Sequence, residues 1–313
     1  MVLQRILVSI FILVLACSCT KEKVYSQGTF QTKINGASFV ASGLAIDDSH
    51  ISPILETKSN WVCLMPFALG YWDSTALRYN EAGQWYGETE KGISEAISLT
   101  EAKGLKVMIK PQIWFWDGKY TGHFKLNNSQ DWQEFEKNYE EFILLFARVS
   151  ETNKAPLFCI GTELAAFIEQ RPEFWNNLIQ KVRTVYSGEI VYAANWDNFE
   201  KIPFWTQLDY IGVDAYFPVS QEITPSVTEC LKGWEEPKVK MKALSKSANK
   251  PILFTEFGYS SIDYCGKEPW NPDQSGSVNM QAQVNAYEAL FQSFWSEDWF
   301  AGGFFWKWFD NHS

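Results

Sequence analysis

Histidine is scarce in this chain: three in 313 residues, at positions 50, 123 and 312. No Cys/His cluster has the spacing of a zinc site, so neither a structural nor a catalytic zinc centre is expected. Neither a G-x-G-x-x-G turn nor a Walker pattern occurs, which removes the phosphate-cradling signatures of nucleotide enzymes. Positive charge is short as well. Lys and Arg number 27 against 37 Asp and Glu, giving a formal charge of −10. That balance argues against a nucleic-acid partner, whose affinity comes from phosphate contacts, and suits a neutral substrate. Beyond the first 16 residues, no stretch is apolar and long enough to span a membrane as a helix.

Hydrophobic residues make up 46% of the chain, enough for a large core and too many for wholesale disorder. Aromatic residues reach 16%, with 15 Trp. Trp is rarely buried completely, and the flat apolar faces of sugars stack on aromatic rings. The excess therefore points toward carbohydrate.

The N-terminus reads as a targeting segment. Met1 to Arg5 carries one positive charge, and Ile6 to Ala16 is an apolar run of signal-peptide length. It leads into Val14-Leu15-Ala16-Cys17-Ser18-Cys19, which resembles a bacterial lipobox with Cys17 as the lipidated residue. The expected organisation is a lipoprotein signal peptide over 1–16, a tether over 17–30 and one domain over 31–313. The alternatives are lipidation at Cys19 or a plain secretory signal. The expected location is the bacterial cell envelope, with the membrane as a partner through the anchor. Cys63 and Cys159 lie in apolar strand-like runs and are expected as buried thiols. Cys230 and Cys265 lie in polar, loop-like sequence and are expected to form a disulfide.

Strand and helix signals alternate. Expected strands are Ala37–Ser42, Trp61–Phe67, Leu105–Ile109, Leu157–Ile160, Ile190–Ala194, Leu208–Ala215, Ile252–Thr255 and Ala301–Trp308. Expected helices are Ile51–Lys58, Glu90–Lys103, Asp131–Ser150, Pro172–Tyr186, Val239–Ala248 and Val278–Trp295. Eight strands alternating with helices predict an α/β fold, a single (β/α)8 TIM barrel. Only Phe309 to Ser313 follows the last strand, so a final helix is missing from the pattern. The two bridging cysteines would then sit on the neighbouring loops after strands six and seven.

Two glutamates stand where apolar strands stop: Glu163 after Pro156-Leu-Phe-Cys-Ile-Gly-Thr, and Glu256 after Pro251-Ile-Leu-Phe-Thr. A carboxylate there is costly unless it is paired, hydrogen-bonded or used. In such barrels the catalytic groups collect at the carboxyl ends of the strands. Lys110, Gln112, Asn195, Trp196, Asp214, Tyr216 and Trp306 fall at those ends too. Paired carboxylates flanking a bond are the equipment of glycoside hydrolysis.

The segments Lys110-Pro-Gln-Ile-Trp114, Ile160-Gly-Thr-Glu-Leu164, Asp214-Ala-Tyr216, Phe254-Thr-Glu-Phe-Gly-Tyr259 and Phe305-Trp-Lys-Trp308 together resemble glycoside hydrolase family 113 of clan A. The described members of that family are β-1,4-mannanases. The resemblance implies a retaining, two-glutamate mechanism, with Glu163 as acid/base and Glu256 as nucleophile. Thr162 stands where the wider clan has Asn, and Gln112 where relatives have His. Tyr216 is expected to bond Glu256, and Trp306 to floor the sugar subsite. Lys110, Gln112, Asn195 and Asp214 are expected to meet substrate, with Trp72, Trp114 and Trp196 as stacking platforms. This chemistry requires no metal or organic cofactor. The expected partner is a β-linked oligo- or polysaccharide, bound by a monomer. Two other readings stay open: a hydrolase of another β-glycan, and a non-catalytic glycan-binding surface lipoprotein.

Overall fold

The computed structural model describes residues 33–311. The expected signal peptide, Cys17 and the tether lie outside the described residues. In chain order the strands are β1 (Ile34–Phe39), β2 (Trp61–Leu64), β3 (Phe67–Gly70), β4 (Leu77–Arg78), β5 (Lys106–Ile109), β6 (Gln112–Phe115), β7 (Leu157–Thr162), β8 (Glu189–Asn195), β9 (Ile211–Asp214), β10 (Ile252–Phe257) and β11 (Phe300–Trp308). The helices are α1 (Asp48–Ile51), α2 (Glu90–Ala102), α3 (Ser129–Thr152), α4 (Ala165–Gln170), α5 (Pro172–Val185), α6 (Val227–Ala248) and α7 (Met280–Phe294). Eight strands close into a parallel barrel in the order β1-β11-β10-β9-β8-β7-β5-β2. β11 pairs directly with β1, and no helix follows it among the described residues.

Alternation along the strands builds two apolar layers. Inside the barrel lie Trp61, Cys63, Met108, Leu157, Cys159, Val191, Leu253 and Phe304. The intervening residues, among them Val107, Phe158, Ile190, Val213 and Phe254, pack outward against the helices. Phe304 fills the interior over β1, where a Cβ on Gly36 would come within 2.1 Å of its ring. Only glycine leaves room for that ring.

The helices start and stop by local chemistry. Asn128 caps α3 by accepting from the Asp131 amide at 2.9 Å. The buried face of α3 carries Trp132, Phe135, Tyr139, Phe142, Ile143 and Phe146, a helical spacing. Phe167 of α4 stacks on Trp132 and on Phe174, with ring centroids 4.9 and 5.0 Å apart. α6 begins twelve residues before the expected Val239, because Ser226 and Glu229 form a capping box. Pro237 hides that start in the sequence; it is tolerated inside the helix despite the amide it lacks.

Two further expectations are corrected. The run Trp61–Phe67 is not one strand: Phe67 opens β3, which leaves the barrel and joins β4 and β6 in a small separate sheet. Cys230 and Cys265 are free thiols, not a disulfide. Cys230 lies on the first turn of α6 rather than in a loop, and both cysteines are buried.

α4 directly follows Glu163, and Phe167 is its fully buried anchor. Truncating a buried Phe costs about 3–5 kcal/mol. Phe167→Ala should lower the unfolding free energy by that amount in urea titration, with little change in slope.

Candidate active site

β10 aims two successive side chains into the barrel mouth. Ile252 and Phe254 pack outward and Leu253 inward, so strict alternation would send Glu256 outward with them. The register of β10 slips between Phe254 and Glu256 against β9, and between Phe254 and Phe257 against β11. Such an irregularity re-aims a side chain. Thr255 Oγ1 donates to Asp214 Oδ1 at 2.7 Å, while Glu256 also points into the site and Phe257 returns to the helix layer.

Glu256 receives three donors. Lys110 Nζ forms a short ion pair with its Oε1. Gln112 Nε2 lies 3.5 Å from the same oxygen, and Tyr216 Oη donates to Oε2 at 2.7 Å. Lys110 is one residue beyond β5, where alternation places it over Met108 in the barrel interior. Its Nζ also lies 3.3 and 3.4 Å from the two oxygens of Asp214. Burial alone would lower the pKa of this lysine, but Asp214 and Glu256 outweigh it and hold the ammonium above its usual range. Lys110 and Asp214 are sealed from solvent. The expectation that they meet sugar is corrected: Lys110 bonds Glu256 and Asp214, and Asp214 accepts from Lys110 and Thr255, both out of reach of solvent.

Glu163 ends β7 in a left-handed conformation, with φ +52°. A non-glycine residue there costs roughly 1–3 kcal/mol. Two bonds hold it: its own amide donates to Ala193 O at 2.8 Å, and the Leu164 amide donates to Tyr192 Oη at 2.7 Å. Its carboxylate takes no hydrogen bond or ion pair from the described residues. Removal from water pushes its pKa well above the carboxylate range, and the charges of Asp214 and Glu256 push it further. One ammonium therefore faces three carboxyl groups. The strain on the fourth barrel-strand end and the donors on the seventh give two similar side chains unlike surroundings.

The remaining predicted residues form the rim. Asn195 ends β8, donating to Asp197 Oδ1 at 3.1 Å and accepting from the Trp196 amide. Trp196 stacks on Trp270, with centroids 4.9 Å apart at 27°. Trp306, which precedes a cis peptide bond to Lys307, is partly buried over the interior cluster. Trp114 stands 54% exposed on β6. Trp72 is not an open platform: it packs edge-on against Phe115 and Phe124. Sequence reasoning missed Thr255, Tyr120, Asp197 and Trp270. Removal from water pushes the pKa of Tyr120 up, and the charges of Glu163 and Asp197 push it further. The Tyr120 loop carries no periodic signal. Thr255 lay in the quoted motif, but its role needed the β10 irregularity.

The sequence profile of Glycoside Hydrolase Family 113 matches residues 45–312. The chain belongs to this family. Among solved structures, a family 113 β-mannanase, AaManA from Alicyclobacillus acidocaldarius in complex with ManMIm, is 25% identical with a TM-score of 0.81, covering 91% of this chain and 90% of that one. A second, a family 113 β-1,4-mannanase in complex form, is 23% identical with a TM-score of 0.78, covering 89% of each. A Faecalibacterium prausnitzii β-glucuronidase shares the fold at 14% identity and a TM-score of 0.58, with 88% of this chain on 42% of that one. No curated protein matches at a significant level. As a member of family 113, the protein is a glycoside hydrolase with a (β/α)8 barrel.

Asp214 carries a testable signature. Removal from water, then the Glu256 charge, pushes its pKa up to about 7, against the pull of Lys110 and Thr255. An unfolded Asp titrates at about 4. Between these values the folded state binds the extra proton, so this group's contribution to stability is full below about pH 4 and is lost as pH rises toward 7. Asp214→Asn should flatten that part of the stability profile, measured by urea unfolding across the window.

Proposed function

We propose that this family 113 member is a retaining, endo-acting β-1,4-mannanase. The observation that carries the mechanism is the unequal treatment of two glutamates. Glu256 accepts from Lys110, Gln112 and Tyr216, so both its oxygens act as acceptors, the form of an ionised nucleophile. Glu163 has no donor among the described residues and a raised pKa, the form of a protonated acid. The substrate reading rests on the likeness to solved β-mannanases.

In the first step Glu163 gives its proton to the glycosidic oxygen while a Glu256 oxygen attacks the anomeric carbon. The sugar–oxygen bond breaks and a glycosyl ester forms on Glu256. Glu256 thereby loses its charge, and Asp214 remains as the counter-ion of Lys110. With Glu256 neutral, one of the charges that raised the Glu163 pKa is gone, and Glu163 is left as a carboxylate ready to act as base. It then takes a proton from water, which attacks the same carbon and releases the sugar with its configuration retained.

Azide rescue tests the assignment. Glu163→Ala should slow hydrolysis of unactivated mannan about 10²–10⁴-fold and spare glycosylation by activated aryl glycosides. Azide should restore its turnover with a retained product. Glu256→Ala should be inactive, and azide should rescue it with an inverted product, because the anion enters from the opposite face. The alkaline limb of kcat/KM should follow the raised pKa of Glu163 and vanish in Glu163→Ala with activated substrates. If the wild type binds β-glycans but cleaves none, or if neither change alters turnover, the enzyme reading falls and a glycan-binding protein remains.

We also propose that Cys17 becomes the first residue and carries lipid, on the resemblance of Val14-Leu-Ala-Cys17 to a lipobox. The protein would then work at the bacterial cell envelope. Mass spectrometry of the native N-terminus should find diacylglyceryl-cysteine; an unmodified start beyond Cys19 would defeat the anchor.

A further inference from the structure

β6 is the outer strand of the small sheet over the barrel mouth, paired on one side with β3. Its residues alternate. Ile113 and Phe115 are buried, Gln112 is partly exposed, and Trp114 and Trp116 are 54% and 67% exposed. Gln112 reaches Glu256 Oε1, so the face it shares with Trp114 starts at the reacting centre. Trp116 continues in register, its amide donating to Gly70 O at 3.0 Å. Same-face side chains on a strand recur about every 6.6 Å. Gln112, Trp114 and Trp116 thus form a ladder leading outward from Glu256.

The ladder is built on a rigid base. Phe115 stacks on Phe124 with centroids 4.7 Å apart and meets Trp72 edge-on at 5.2 Å. Beyond Trp116, the chain turns through Gly118, whose amide donates to Phe115 O at 2.8 Å, and Lys119 pairs with Asp117 at 2.7 Å. Neither Trp114 nor Trp116 stacks on another ring among the described residues. Two large exposed rings in line with a reacting centre mark a binding surface.

We propose that this face of β6 is a glycan-binding track, on which sugar units remote from the cleaved bond stack on Trp114 and Trp116. The occupant is a β-linked, uncharged glycan chain: the track offers two exposed rings and one amide, which suit apolar sugar faces and a hydroxyl. The inference rests on the glycosidase reading above and adds that chains several units long are preferred over short ones. Ring stacking discriminates little between sugars, so the track sets chain length rather than sugar identity.

The test compares kcat/KM on β-1,4-mannohexaose with that on a nitrophenyl β-mannobioside. Trp114→Ala and Trp116→Ala should each lower the hexaose-to-bioside ratio about two- to tenfold, and the double variant should lower it further. Phe at either position should restore most of the loss. A ratio unchanged in all variants would overturn the track, as would equal losses on both substrates. If the wild type cleaves neither substrate, the glycosidase reading has failed on its own. Calorimetric titration of mannohexaose then decides the track: weaker binding by the double variant supports it, and equal affinity or no binding by the wild type overturns it.

Discussion

A single buried ammonium organises the mouth of this barrel. Lys110 is sealed from water and meets both Asp214 and Glu256. Burying one charge without a partner costs several kcal/mol, roughly, and removing one member of a buried pair leaves the other stranded. The lysine therefore fixes where negative charge can stand. One cation stands against three carboxyl groups, and their donors are unequally shared. Glu163 has none among the described residues, and removal from water, with the charges of Asp214 and Glu256, holds its pKa well above the carboxylate range. Asp214 titrates near neutrality, at about 7, and Glu256 keeps the donors.

The backbone has to deviate from regularity to deliver these groups. A regular β10 would turn Glu256 into the helix layer, and a regular end to β7 would not place Glu163 in the left-handed region. Both deviations are locked by what surrounds them. Thr255 ties β10 to Asp214, and Tyr192 and Ala193 hold the backbone around Glu163. Beneath Lys110, the barrel floor is neutral: burial raises the Cys63 thiol and pushes Cys159 up to about 11, so neither competes for the ammonium.

Much of this was legible in the residues. The alternation of apolar strands with amphipathic helices gave the barrel, because buried parallel strands must be apolar on both faces. Glu163, Glu256 and Tyr216 stood out because polar residues that end apolar runs have few other reasons to be there. The start of α6 was obscured by Pro237, whose penalty a long, capped and packed helix absorbs. The bridge expected between Cys230 and Cys265 came from polar neighbours in sequence, whereas Cys230 is buried on the first turn of α6 and Cys265 in the chain beyond β10. Lys110 and Asp214 were recognised as site residues but given the wrong surroundings, since depth below the mouth depends on neighbouring strands.

The sequence by itself determined the class of fold, the two carboxylates and the aromatic surroundings, because these follow from local patterns of polarity along single strands and helices. Tertiary structure alone decided which carboxyl group carries the donors, that Lys110 is an internal counter-ion, and that Gln112, Trp114 and Trp116 share one outward face. These depend on register, on a slip of one residue in β10 and on contacts across strands far apart in the chain. Hydrogen-bond geometry and desolvation are properties of position in three dimensions, and no pattern along a single segment encodes them.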